Sequence, residues 1–233
     1  MGKTSRLIAV VVALMIWMPL KAQKFSIGPE IGYESDSYKS HNENVSTSNG
    51  NGFRIGVNAN YNFKDGWFLN AGLSFSHREG AKLKGVSGVG IFPTFVRSVE
   101  INKAEYLTLP IVVGYKFTLP HQFGIGLDAG GYISTGIGNG STQFKLTGQE
   151  KNGGNLFHES TFTHYNSEAN VRDNVTINAS KRIDSGIVIG GRIYYRDLCL
   201  RAYYQFGLVK TIYDMASPWT CGLSLSYNFK IGK

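Results

Sequence analysis

Residues 53–75 read FRIGVNANYNFKDGWFLNAGLSF, with an alternating segment on each side of the short polar turn 62–66. Before the turn, Phe53, Ile55, Val57, Ala59 and Tyr61 share one face of an extended chain, and Arg54, Gly56, Asn58 and Asn60 share the other. After it, Trp67, Leu69, Ala71, Leu73 and Phe75 stand against Asn70, Gly72, Ser74 and Ser76. Side chains of a strand alternate with period two, so this stretch predicts a hairpin with one apolar face. Each apolar face carries aromatics at both ends and aliphatic residues between them.

Six more segments follow the same rule: residues 25–33, 105–117, 123–133, 183–195, 198–208 and 219–229. Eight strands of about ten residues match the number and length of a small transmembrane barrel. The connections alternate as well. Those at 62–66, 118–122 and 196–197 are short, whereas 35–52, 77–103 and 135–181 are long. Short periplasmic turns and long extracellular loops have this asymmetry. The longest connection exceeds what a structureless loop usually reaches, so residues 143–146 and 156–163 are expected to extend the barrel as a hairpin.

Alternation alone does not say whether the apolar face points outward into lipid or inward around a ligand. The aromatics decide it. Tyr61, Trp67, Tyr115, Phe117, Phe123, Tyr195, Tyr227 and Phe229 fall at the short-turn ends, and Tyr33, Phe53, Phe75, Phe206 and Trp219 at the other ends. Two aromatic belts around an aliphatic band are what a bilayer with two interfaces selects. The fold class is therefore all-β: an eight-stranded antiparallel up-and-down transmembrane β-barrel with short periplasmic turns and long extracellular loops.

Residues 1–22 read as a cleaved signal peptide, and residues 23–233 as the barrel domain. Lys3 and Arg6 precede an apolar run of about a dozen residues, too short for a spanning helix, which ends at Lys21-Ala22-Gln23. Without Lys3, Arg6 and Lys21 the formal charge falls from +8 to +5. The remaining cations are scattered rather than clustered, which with export excludes nucleic acid as a partner class.

Further marks are SIGPEIGY at 26–33, EYLTLPIVVGYKF at 105–117, FGIGLDAGGYIS at 123–134, the KAQ ending of the signal and GLSLSYNF at 222–229. Together they resemble the small porin-family outer-membrane β-barrels called PorT-like, frequent in gram-negative bacteria with envelopes of the Bacteroides type. The resemblance implies residence in outer-membrane lipid and insertion by the barrel-assembly machinery. It allows a part in protein secretion and implies no single activity. One departure is the tail, where residues 230–233 follow the aromatic Phe229.

An eight-stranded barrel has an interior that side chains just fill. Parity sends Glu30, Arg54, Asn58, Asn60, Asp128, Arg192, Arg201 and Gln205 inward. The turn at 196–197 sets Arg192 opposite Arg201, and like charges facing each other need an acid nearby. Glu30, Asp128, Arg192 and Arg201 are therefore expected to form an ion-pair network that plugs the lumen. Pro110 lacks an N–H donor in the middle of strand four, which suggests a local bulge there.

Other motifs read as weaker signals. Residues 158–164, HESTFTH, lack the spacing of a zinc helix and read as solvated loop. The clusters Gly85, Gly88, Gly90 and Gly136, Gly138, Gly140 read as flexible loops. Cys199 and Cys221 fall at opposite heights and parity of adjacent strands, so two free thiols are expected. No catalytic residue, cofactor or metal site is expected. His77, beside Ser76 and Glu79, is the one position at which lipid-modifying chemistry is worth testing. The function that fits is a barrel with a side-chain-filled lumen and a structural, surface-interaction or secretion-accessory role through its extracellular loops, for which a cell-surface or secretion-system protein is the candidate partner. A narrow channel or uptake porin is the alternative, and a lipid-modifying enzyme the third reading.

Overall fold

The computed structural model describes residues 25–40, 45–87, 95–149, 155–165, 168–172, 175–178, 180–209 and 216–231. Residues 1–22, read as a signal peptide, lie outside them, as do Gly88 and Gly90. The strands are β1 (Phe25–Ser40), β2 (Val45–Ser48), β3 (Gly50–Asn62), β4 (Trp67–Glu79), β5 (Lys82–Ser87), β6 (Phe95–Thr118) and β7 (Phe123–Gln149). They continue as β8 (Asn155–Phe162), β9 (Glu168–Arg172), β10 (Val175–Asn178), β11 (Ile183–Tyr195), β12 (Leu198–Gly207), β13 (Ala216–Tyr227) and β14 (Phe229–Ile231).

Eight of these close a ring in the order β1, β3, β4, β6, β7, β11, β12 and β13, and β13 pairs back to β1. Every pair in the ring is antiparallel. Paired residues followed once around run Asp184, Ser134, Thr108, Ser74, Gly56, Glu30, Ser226, Cys199 and back to β11 at Tyr194. The return is ten residues lower on the same strand. At normal strand spacing and rise, a stagger of ten over eight strands tilts them about 40° from the axis.

Burial is inverted relative to a soluble protein. Ile31 (62% exposed), Leu127 (68%) and Ile133 (60%) stand outside, whereas Glu34 (0%) and Arg54 (1%) are enclosed. The exposed band covers 27–33, 53–61, 67–75, 107–117, 123–133, 187–195, 198–206 and 219–227, the segments that cross the bilayer. Its rims hold the aromatics, many in contact, such as Trp67 with Tyr115 and Tyr204 with Trp219. Among the described residues Cys199 and Cys221 are free thiols, the first in the lumen wall and the second on the outer face beside Tyr204.

Pro110 makes no bulge. The β6–β7 pairing runs through Pro110↔Tyr132 without a shift, and β4–β6 keeps its register while its pairing skips Gly72 and Leu73. The lost N–H therefore costs one gap in one ladder, and Thr108, Pro110 and Val112 all stay inward. The irregularity of β6 lies higher, with register shifts against β7 at Ile101/Lys103 and Lys103/Glu105.

Above that point β5 replaces β4 as the neighbour of β6, giving an outer sheet in the order β2, β5, β6, β7, β8. β7 and β8 pair from Thr142↔Phe162 to Gln149↔Asn155, so the longest connection does extend the barrel as a hairpin. On its inner side Tyr38, Ala81, Leu83, Ile101, Ala104, Tyr106 and Tyr165 form a small apolar core.

Charge on the exposed band opposes insertion most strongly near its middle, where Ile111 sits. Ile111→Arg is expected to lower stability by about 2–4 kcal/mol, measured by urea unfolding in phospholipid vesicles.

Candidate functional site

Inward parity collects the charged side chains in the lumen. Gly190 pairs with Asp128 across β11–β7, and Arg192 pairs with Arg201 across β11–β12. Asp128 thus has both guanidiniums within reach. Arg192 donates from Nε to Asp128 Oδ2 at 2.6 Å, and Arg201 donates from Nε to Oδ2 at 3.1 Å and from Nη2 to Oδ1 at 2.5 Å. Side-chain exposure of all three is 5% or less.

Glu30 does not join them directly. Arg54 Nε lies 3.3 Å from Glu30 Oε1, a charge contact without hydrogen-bond alignment. Arg54 also donates from Nη1 to Glu34 Oε1 at 3.3 Å, and Arg78 donates from Nε to Glu34 Oε2 at 3.0 Å. Tyr203 completes this upper cluster, its hydroxyl donating to Glu34 Oε1 at 2.7 Å. Glu30 finds Arg54 because the two sit on adjacent strands, Glu30 opposite Gly56 and Arg54 opposite Gly32.

Three asparagines join the two clusters. Arg192 Nη2 donates to Asn70 Oδ1 (3.1 Å), Asn70 Nδ2 to Asn60 Oδ1 (2.7 Å), Asn60 Nδ2 to Asn58 Oδ1 (2.9 Å), and Asn58 Nδ2 to Glu30 Oε2 (3.5 Å). Each amide accepts on its cationic side and donates on its anionic side, so their dipoles align from Arg192 to Glu30. Parity had placed Asn58 and Asn60 in the lumen. The role of Asn70 as the crossing point depends on register, which a single strand pattern does not carry.

Three participants were missed by sequence reasoning. Phe68 breaks the polar face of β4 and is buried beneath Arg192, whose guanidinium carbon lies 4.9 Å from its ring centre. Gly114 on β6 makes room for it, since a methyl there would collide with the ring. Glu34, one residue past the segment read as strand one, and Arg78, read as loop, both lie within strands that run further outward than alternation showed. Lower down, Lys116 Nζ lies 4.3 Å from the centre of the Tyr194 ring.

The mouth also differs from expectation. His164, read as solvated loop, is 2% exposed. Its Nδ1 lies 2.7 Å from Thr142 Oγ1 and its Nε2 3.4 Å from Tyr106 Oη. Gly136 and Gly140 are not flexible loop but part of β7, and they are small for a reason. A Cβ on Gly140 would lie 2.6 Å from His164 Cβ, and one on Gly136 would collide with the Tyr165 ring.

His77 faces the outer rim. It stacks on Phe53, with Nδ1 3.6 Å from Glu105 Oε1 and Nε2 3.8 Å from Glu79 Oε2. Ser76 points the other way, fully buried in the lumen. The hydroxyl beside His77 in sequence is therefore on the opposite face of the wall, and the pair forms no nucleophile–base arrangement.

Comparison with known proteins places this architecture. No curated protein matches the sequence. Among solved structures, Ail of Yersinia pestis with the heparin analogue sucrose octasulfate is 13% identical over 88% of this chain and 99% of its own, with a TM-score of 0.36. Neisserial surface protein A is 12% identical (88% and 97% covered, TM-score 0.37), and OprG of Pseudomonas aeruginosa 10% (90% and 97%, TM-score 0.32). The family model described as outer membrane protein beta-barrel domain matches residues 21–213, from before β1 to beyond β12. With that match over most of its length, the chain belongs to the outer membrane protein beta-barrel domain family and is an integral protein of the outer membrane.

Proposed function

We propose that this barrel is a closed, non-enzymatic scaffold that holds an extracellular sheet in place for contact with another cell-surface or secretion-system protein. The observation that carries the reading is the continuous polar chain across the lumen, from Arg201 and Asp128 to Glu34 and Arg78. Glu30, Asp128, Arg192 and Arg201 act in it as structural charges that plug the barrel and fix its strands. A solute would have to break ion pairs from which water is excluded, and removing one partner of such a pair costs on the order of 3–5 kcal/mol.

What the scaffold presents is the sheet of β2, β5, β6, β7 and β8. It carries Lys82, Lys84, Lys103 and Lys145 on the side turned from the barrel axis, with Glu100, Glu105 and Glu159 paired to three of them. Rigid scaffolds commonly carry function on such outer segments. The resemblance to PorT-like proteins favours a partner within a secretion apparatus, and the same resemblance, carried near the C-terminus by GLSLSYNF at 222–229, favours insertion by the barrel-assembly machinery. The signal peptide belongs to the same proposal, with the mature chain starting at Gln23.

Single-channel recording separates this reading from the narrow pore. The wild-type barrel is expected to give no resolved conductance steps in planar bilayers, and steady ion-selective steps would favour the pore. Asp128→Asn leaves Arg192 and Arg201 facing each other and is expected to cost about 3–5 kcal/mol. Adding Arg201→Met removes the repulsion and is expected to restore much of that loss, read by thermal unfolding in detergent. Equal stability of all three proteins would count against a structural network. Deleting residues 145–158 trims the β7–β8 hairpin, and should abolish co-purification of envelope partners while the trimmed barrel still shows heat-modifiable migration.

A further inference from the structure

The outer sheet ends in β8, which pairs with β7 from Thr142↔Phe162 to Gln149↔Asn155 without a shift in register. Which of its backbone groups that pairing uses follows from β6. Ile101 N–H donates to the Ala81 carbonyl at 2.9 Å, and the Ile101 carbonyl accepts from Gly80 N–H at 2.7 Å, so both groups point away from β7. Ile101↔Thr142 is therefore a pair without mutual bonds, and Thr142 turns its own groups to Phe162 on β8. The pattern alternates along an antiparallel pair. Leu156, His158, Ser160 and Phe162 bond to β7, whereas Asn155, Phe157, Glu159 and Thr161 direct their N–H and C=O groups to the far side. Among the described residues no strand pairs there, since β9 and β10 pair only with each other.

A sheet edge in water normally carries a device against strand addition: shortness, a lysine, a proline or a bulge. The opposite edge of this sheet, β2, is only four residues long. β8 has eight residues, NLFHESTF, and none of these devices. The residues that aim their backbone at the edge also expose their side chains, on the face turned from the barrel axis. Phe157 is 66% exposed there. Glu159 lies 3.4 Å from Lys145 on β7 and has an open position on its other side. The row across β7 and β8 thus runs cation then anion, and a cation on the next strand continues it.

We propose that β8 takes up an extended segment of another protein as an added strand, with a lysine or arginine opposite Glu159 and an apolar residue opposite Phe157. The inference rests on the outer sheet being the contact surface and names how that contact is made. Main-chain bonds supply the affinity, and the two side-chain positions set the register. A second copy of this chain does not fit. In the same membrane its β8 runs in the same direction, and the rotation that brings the two strands together turns their outward faces to opposite sides. A copy on a facing membrane can pair antiparallel, but the registers that cover most of β8 put Glu159 opposite Glu159 or opposite Phe157.

Hydrogen exchange of the full chain in phospholipid nanodiscs tests this, read amide by amide by NMR. The probe is an acetylated threonine peptide that carries one lysine and, two residues on, one phenylalanine. At saturating peptide the amides of Phe157, Glu159 and Thr161 are expected to slow by about tenfold, while those of His158 and Ser160 are protected from the start. Glu159→Lys should weaken this peptide about fivefold and favour a version with glutamate in place of the lysine. Thr161→Pro removes one edge donor and no bond to β7, so the barrel is retained and the peptide weakens by about tenfold. No added protection at the odd-numbered amides, or an unweakened peptide in both variants, overturns strand addition. The envelope partners that depend on the β7–β8 hairpin separate this inference from the broader one. Their loss from Thr161→Pro, with heat-modifiable migration unchanged, supports the edge. Their retention by Thr161→Pro overturns the edge and leaves the sheet as the contact surface, whereas their retention by the hairpin deletion overturns both.

Discussion

Inside a bilayer every backbone N–H and C=O must find a partner within the protein, because lipid offers none. For a sheet this leaves closure as the only solution, and the seam between β1 and β13 satisfies it over eleven paired positions from Glu30↔Ser226 to Ser40↔Ala216. β14 continues the same seam below, pairing Ile231 to Phe25. The requirement also explains how Pro110 is tolerated in mid-wall. One missing donor leaves the β6–β7 ladder intact, and the register of β4 is retained by the pairs on either side of the gap.

Closure with eight strands and a stagger of ten fixes a narrow interior, and that in turn dictates its chemistry. Alternation must send every second residue inward, while the lipid claims the apolar ones. The lumen is then filled with what remains, which here means charges and amides. Such groups persist only if paired, so Asp128 between two arginines and Glu34 between Arg54 and Arg78 are consequences of the same constraint. The asparagine chain solves the remaining problem of joining two charged layers without placing another ion between them.

The eight wall strands, the outward aliphatic band and the two aromatic rims were legible in the sequence because period-two patterning and aromatic position are local signals. So was the approach of Arg192 to Arg201, which a two-residue turn dictates. The partner of Glu30 was not legible, since choosing between Arg54 and the lower arginines requires the register of β1 on β3. Phe68 was hidden for a different reason. It violates the polar parity of β4, and only Gly114 on the neighbouring strand makes the violation affordable. His164, Gly136 and Gly140 looked like solvated loop because the signal lies in their pairing across a gap of more than twenty residues.

Parity does flip within β6, but at Ile101 to Glu105 and not at Pro110, where the bulge was expected. Below it the odd-numbered Leu107, Leu109, Ile111 and Val113 face lipid and the even-numbered Thr108 faces the lumen. Above it the odd-numbered Ile101 is buried and Val99 packs on the inner core, while Glu100 reaches outward to Lys82. The strand leaves the membrane there, and the rule for burial reverses with the solvent. Lipid demands apolar residues on the outside of the wall, water demands them on the inside, and an irregularity in register lets one alternating strand satisfy both. The bulge thus marks the level at which a membrane protein becomes a soluble one, and it is set by the medium rather than by the proline.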